Sequence, residues 1–233
     1  MKYAYLYFLT LSVSLLFVNP ILAEDNSQTT EEEDSITDFF SETETERMEK
    51  ELIEIGLSKV NYYEKTNRMN VASASTFTTG SWSWRDGIIC ITESHVSVAF
   101  NNGHAGIMGI APDYNMTYEA NPASGVTICP GDYQSRFPGK NVWQVDVTST
   151  DDGQDEAAAQ WTRNRIGYSY GFPITLSNRS KFYCSHLIYA AFKDTANVDL
   201  DTSAFPGFIH PFELFASPET TVTYLRYYHD VTY

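Results

Sequence analysis

The sequence predicts an α+β fold in which an antiparallel sheet comes first and helices follow. Three observations carry that expectation. Between residues 87 and 147, short apolar or alternating runs recur with turn residues between them. Two longer runs at helical spacing follow, over 154–166 and 183–196. Strand signals and helix signals thus occupy separate blocks instead of alternating. The chain has 233 residues, enough for one substantial domain with appendages.

The first 23 residues read as a signal peptide. Lys2 gives a positive start, Tyr3 to Val18 is uncharged and mostly apolar, and Ile21-Leu22-Ala23 follows Pro20 with a small residue at the cleavage position. The alternative is a retained anchor, but the run falls short of the about 20 residues a span needs. The expected location is therefore secreted or cell-envelope associated, with no stable membrane span after signal removal. Residues 24–50 hold 11 acidic and 2 basic residues. The stretch 24–46 is poor in apolar side chains and reads as an acidic disordered spacer, or more sharply as a pro-segment covering a cleft. Residues 47–75 form a helical N-terminal segment, the helix itself expected from about Thr45 to Asn67 with Met48, Leu52, Ile55 and Tyr62 on one face.

The domain proper is expected over residues 76–233. Gly87 to Thr92 is apolar and β-branched, as a buried strand is. Val96 to Phe100 alternates, and Asn101-Asn102-Gly103 turns the chain into a strand over His104 to Ile110. Pro112-Asp113-Tyr114-Asn115 leads to Met116–Ala120. Asn121 to Gly125 leads to Val126–Cys129, and Asn141–Val147 closes an antiparallel meander. Asp151 and Asp152 are N-cap candidates for a helix over Gln154–Ile166, with Ala157, Trp161 and Ile166 inward. An aromatic, glycine-rich loop spans 167–173, and the last helix runs from about Tyr183 to Ala196.

Cys184 stands where that last helix begins. A helix N-terminus and a neighbouring imidazolium both favour thiolate over thiol. Cys184, Ile188 and Ala191 share one helical face, which turns the thiol toward the sheet, where His104 is expected. His186 is about 200° further round and faces away. Glu119, on the strand after His104, is placed to accept from the imidazole and fix its tautomer. Cys90 and Cys129 could pair with each other, or Cys90 could be a small core residue; both readings stay open. A net charge of −15 excludes nucleic acid as a partner. The five His and three Cys lack close ligand spacing, so no metal or cofactor is expected. His95 and His210 read as loop or edge residues, and His229 as tail.

In order along the chain stand Asp86-Gly87-Ile88-Ile89, Gly103-His104-Ala105-Gly106-Ile107, Tyr118-Glu119-Ala120, Ile166 to Tyr170, Phe182-Tyr183-Cys184-Ser185 and His210 to Phe215. This series resembles the circularly permuted NlpC/P60-like papain-fold proteins, in their YiiX/YycO branch. The resemblance implies a papain-like fold with the nucleophile helix after the sheet. It implies Cys184 as nucleophile, His104 as base and Glu119 as the residue orienting the imidazole. Tyr183, or the loop around Tyr168, could add a donor or a wall to the substrate site. Two departures from the family pattern stand out: His186 where an acidic residue is common, and Asp86-Gly87 where the pair is usually reversed. The activity implied is an exported cysteine hydrolase of amidase or peptidase type, acting through an acyl-enzyme on peptide or murein. A lipid acyl hydrolase or acyltransferase, and a non-catalytic binding module, are the alternatives.

Overall fold

The computed structural model describes residues 36–60, 76–94, 96, 100 and 103–228. Among them, seven strands form one sheet: β1 (Thr76–Gly80), β2 (Ile89–Thr92), β3 (His104–Met108), β4 (Met116–Asn121), β5 (Gly125–Pro130), β6 (Val142–Val147) and, from the C-terminal end of the chain, β9 (Thr220–Tyr228). Their order is β1-β9-β6-β2-β3-β4-β5, and all neighbours are antiparallel. The expected meander holds from β2 to β5. β6 then returns to the free side of β2, and β9 and β1 extend the sheet beyond it. The expected run over 96–100 lies largely outside the described residues, as do Tyr62, His95 and His229.

Alternation along the strands sorts the two faces. Ile89, Ile91, Ala105, Ile107, Tyr118 and Ala120 belong to the main core. Ile88, Cys90, Met108, Tyr133 and Val142 form a second apolar cluster on the opposite face. The main core is covered by α4 (Cys184–Ala196), whose first nine residues are all buried. α3 (Asp152–Arg163) packs beside it, opened by a reciprocal cap between Asp151 and Gln154. Its inward face is Asp155, Ala158, Ala159 and Thr162, one position off the expected set. Ala157 is exposed, Ile166 is 39% exposed beyond the helix end, and Trp161 is half-buried against Phe182 and the Arg165 guanidinium. Small residues let the two helices approach closely, so the bulky side chains are left at the rim.

Gly87 has φ +79, and a Cβ there would lie 2.5 Å from the Asp155 carbonyl oxygen. Only glycine fits, which gives the transposed Asp86-Gly87 pair a structural reason. A short parallel ribbon, β7 (Ser169–Tyr170) with β8 (Lys181–Phe182), leads into α4. The four-residue α2 (Tyr133–Arg136) sits between β5 and β6.

The expectation of a disordered acidic spacer is corrected for residues 36–46. Ile36 is fully buried in a 3-10 turn over Ile36–Asp38, and α1 (Glu42–Ser58) starts earlier than expected, on a capping box of Ser41 and Glu44. The remainder of 24–46 lies outside the described residues. The buried face of α1 is Thr45, Glu49, Leu52 and Gly56, while Ile55 is 50% exposed. Docking on α5 (Pro211–Ala216) sets this rotation. Gly56 meets the Phe215 ring so closely that a Cβ would lie 2.1 Å from it. Lys59 Nζ then donates to the Phe215, Ser217 and Thr220 carbonyls, with burial lowering its pKa to about 8.

Candidate active site

Glu119 lies in the middle of β4, with no exposed surface. Continuing the β3–β4 register from Ile107↔Tyr118 places Gly106 opposite it. A Cβ on Gly106 would come within 2.6 Å of Tyr133 Oη and 2.8 Å of Glu119 Cγ. That missing side chain makes the room in which the carboxylate and the phenol meet. Around Glu119 the donors are dense. His104 Nε2 lies 2.8 Å from Oε2. Arg136 reaches both oxygens, Nη1 at 2.5 Å from Oε1 and Nη2 at 3.0 Å from Oε2. Tyr133 Oη donates at 3.0 Å and Thr117 Oγ1 at 2.5 Å. Burial disfavours the carboxylate, but the His104 charge and hydrogen bond and the Arg136 fork outweigh it and hold Glu119 well below the usual carboxylate range.

His104 opens β3 and is 1% exposed. Its ring stacks at 6.4 Å on Tyr133. Burial opposes the imidazolium here too. The Glu119 charge, with hydrogen bonds to Cys184 and Glu119, more than compensates and raises His104 to about 9. Nε2 is engaged by Glu119, which leaves Nδ1 for the Cys184 thiol. Cys184 is the first residue of α4, behind an extended Tyr183 that offers no side-chain cap. Its thiol therefore stands at the positive end of a 13-residue helix with an imidazole beside it. An imidazolium beside a thiol favours ion-pair formation, and the uncapped amides at the helix start can donate to an oxyanion.

The three residues singled out from the sequence, Cys184, His104 and Glu119, are thus brought together. Tyr183 is not a wall of the site. It is fully buried, its Oη accepts from the Ile209 N–H at 3.0 Å, and burial pushes its phenol up. Tyr168 is 42% exposed; its ring lies 6.1 Å from that of Phe182, and its carbonyl accepts from the Val126 N–H. His186 does turn away from the imidazole, but into protein. It stacks on Phe182 and Tyr189, with Nε2 3.2 Å from the Leu176 carbonyl oxygen, and burial lowers it to about 4. At the position where an acidic residue is common in the family the chain resembles, His186 ties the loop before β8 to α4.

Cys90 and Cys129 are both free. Burial pushes Cys90 up to about 12 and Cys129 up to about 11, so neither is primed as a thiolate. His210 is corrected from a loop or edge residue to a fully buried one that caps α5. Among the described residues, no group of three or more His, Cys, Asp or Glu is arranged to hold a metal ion. Sequence reasoning missed Arg136 and Tyr133. A single-turn helix carries no periodic signal, and only Asp132, which caps Ser135, marks it.

The family described as permuted papain-like amidase enzyme, YaeF/YiiX, C92 family, matches residues 76–207. The chain belongs to this family. The α+β arrangement with the sheet before α4 is the fold expected of a permuted papain-like family. All three clustered residues fall inside the matched segment. The uncharacterized protein YycO of Bacillus subtilis (strain 168) is 27% identical over 162 residues, 67% of this chain. The alignment spans 62% of that relative's length. A solved structure titled as metalloprotein yiiX from Escherichia coli O157:H7 has a TM-score of 0.49 and 14% identity, covering 60% of this chain and 97% of its own.

Proposed function

We propose that the protein is an exported cysteine amidase or peptidase that works through Cys184, His104 and Glu119 and a thioester intermediate. The observation carrying this reading is the buried imidazole, gripped at Nε2 by Glu119 at 2.8 Å and engaged by Cys184 at the start of α4. In the first half-reaction the Cys184 sulfur attacks the amide carbonyl carbon, and backbone N–H groups at the start of α4 hold the oxyanion. The C–N bond then breaks, and the His104 imidazolium gives its proton to the leaving amine. In the second half-reaction His104 takes a proton from water, whose oxygen attacks the thioester carbon. The C–S bond breaks, the acid leaves, and the imidazolium again faces a thiolate. Glu119 holds the ring orientation and stabilises its positive form.

The family description supports an amide bond as the target and a peptide as the substrate class. Cell-wall peptide is the specific substrate proposed, consistent with an exported protein. Export rests on the sequence of residues 1–23, which lie outside the described residues. The test is turnover of a murein peptide, an unrelated peptide and a phospholipid by wild type and by Cys184→Ala. Cleavage of the murein peptide that Cys184→Ala abolishes is the expected result. Cleavage of the phospholipid alone would replace the proposal with acyl hydrolysis. Activity retained by Cys184→Ala would overturn the mechanism.

A further inference from the structure

We propose that Arg136 is a positioning residue of the site: it anchors Glu119 as an anion and so keeps the proton of the His–Glu pair on the His104 ring, where it can hold a Cys184 thiolate. The inference rests on the function proposed above and adds a residue that does not touch substrate.

The argument is a charge count in a place without water. Glu119 has no exposed surface, and a buried carboxylate is costly unless its charge is matched. The groups facing it are His104 from β3, Thr117 from its own strand, Cys129 from β5, Cys90 from β2, and Tyr133 and Arg136 from α2. Arg136 is the one permanent cation in this set. With it, Glu119 and Arg136 cancel, and an imidazolium–thiolate pair next to them is neutral overall. Without it, that same ion pair carries one uncompensated negative charge. The cluster then relaxes by moving the ring proton onto the carboxylate, which leaves a neutral imidazole and favours a neutral thiol.

The geometry suits the role. The guanidinium contacts both Glu119 oxygens, as a fork. Its own position is fixed by the Pro130 carbonyl at 2.8 Å and by the Tyr133 and Phe137 rings, each 5.0 Å away. Arg136 is 23% exposed against 0% for Glu119, so the cation reaches in from the rim of the second apolar cluster and carries its charge to a fully buried partner.

The test compares wild type, Arg136→Met, Arg136→Lys and Tyr133→Phe. Circular dichroism checks the fold. The readout is the rate of Cys184 alkylation by iodoacetamide against pH, followed by peptide mass spectrometry. Arg136→Met is expected to move the acidic limb of the profile up by about one pH unit or more, an about tenfold loss of rate at pH values below the wild-type limb. Arg136→Lys, which keeps the charge without the fork, should recover most of the shift, and Tyr133→Phe should move the limb less than Arg136→Met. If Arg136→Met does not fold, Arg136→Lys carries the test with a smaller shift in the same direction. A folded variant whose profile superimposes on wild type, at lower melting temperature only, overturns the positioning role while an activated wild-type profile leaves the function standing. A wild-type profile like that of an ordinary thiol overturns both.

Discussion

Two buried histidine–glutamate pairs stand among the described residues, and they are built differently. His104 and Glu119 join adjacent strands of the sheet, 2.8 Å apart. His210 and Glu49 join α5 to α1, 3.1 Å apart. Both rings are out of water. Around Glu119 stand Arg136, Tyr133 and Thr117, and beyond the imidazole stands a thiol. Around His210 stand Phe100, Phe205 and Phe212. Its Nδ1 accepts from the Phe212 N–H, and its Nε2 lies beside Glu49 Oε1. One pair adjoins a thiol and a cation. The other caps a helix and clamps a second helix to it. A buried His–Glu contact is therefore not a signature of catalysis by itself; the group on the far side of the ring decides.

The largest contrast should come from the ring's far partner. Cys184→Ala is expected to lower turnover on the order of 10⁴-fold or more. His210→Ala should leave kcat/KM of the folded protein within about threefold while lowering its melting temperature through the lost cap and the cavity. Steady-state kinetics and thermal unfolding of both variants would show whether the two pairs separate this way.

Neutralising the two carboxylates sharpens the same difference. Glu119→Gln is expected to cost on the order of 10²-fold or more in kcat/KM and about 3 kcal/mol of stability, because the Arg136 charge loses its partner. Glu49→Gln should cost about 1 kcal/mol and leave kcat/KM in place. Equal kinetic losses in the two variants would erase the distinction.

A smaller effect is expected from Gly106→Ala. The new methyl collides with Tyr133 Oη and Glu119 Cγ, so it should displace the carboxylate and reduce kcat/KM about tenfold, with about 1–3 kcal/mol of overpacking. Unchanged kinetics in this variant would mean that the carboxylate tolerates movement.

A further difference is a slope with pH. His104 is raised from 6.5 to about 9 in the folded protein. Its contribution to stability is therefore fully present below about pH 6.5 and is lost as pH rises through about 9, with a slope of at most one proton. Denaturant unfolding across that window should be steeper in wild type than in His104→Gln. Equal slopes would place the positive charge elsewhere.

Much of this site is legible in the sequence because its parts sit on regular elements. Cys184 begins a helix whose apolar spacing is plain, and His104 and Glu119 lie on strands bounded by turn residues. What escapes is held by irregular or local structure. Arg136 lies 17 residues beyond Glu119, on one turn of helix. His210 could have been found, since His-Pro-x-Glu puts Pro at the first helical position and Glu at the third, and Glu213 Oε2 does accept from the His210 N–H at 2.7 Å. Ser41-x-x-Glu44 was a similar signal inside a segment whose charge hid it. The inward face of α3 misleads because Ala158, Ala159 and Thr162 pack there while the larger Trp161 is left at the rim.

The central claim is that His104 activates Cys184, and alkylation at neutral pH tests it most directly. Wild type and His104→Ala are treated with iodoacetamide at pH 7, and Cys184 is followed by mass spectrometry with Cys129 as the internal reference. Activation predicts that Cys184 in wild type reacts about tenfold or more faster than a model thiol, and that His104→Ala loses this advantage. A Cys184 that reacts no faster than the model thiol, or at the same rate in both proteins, would contradict it.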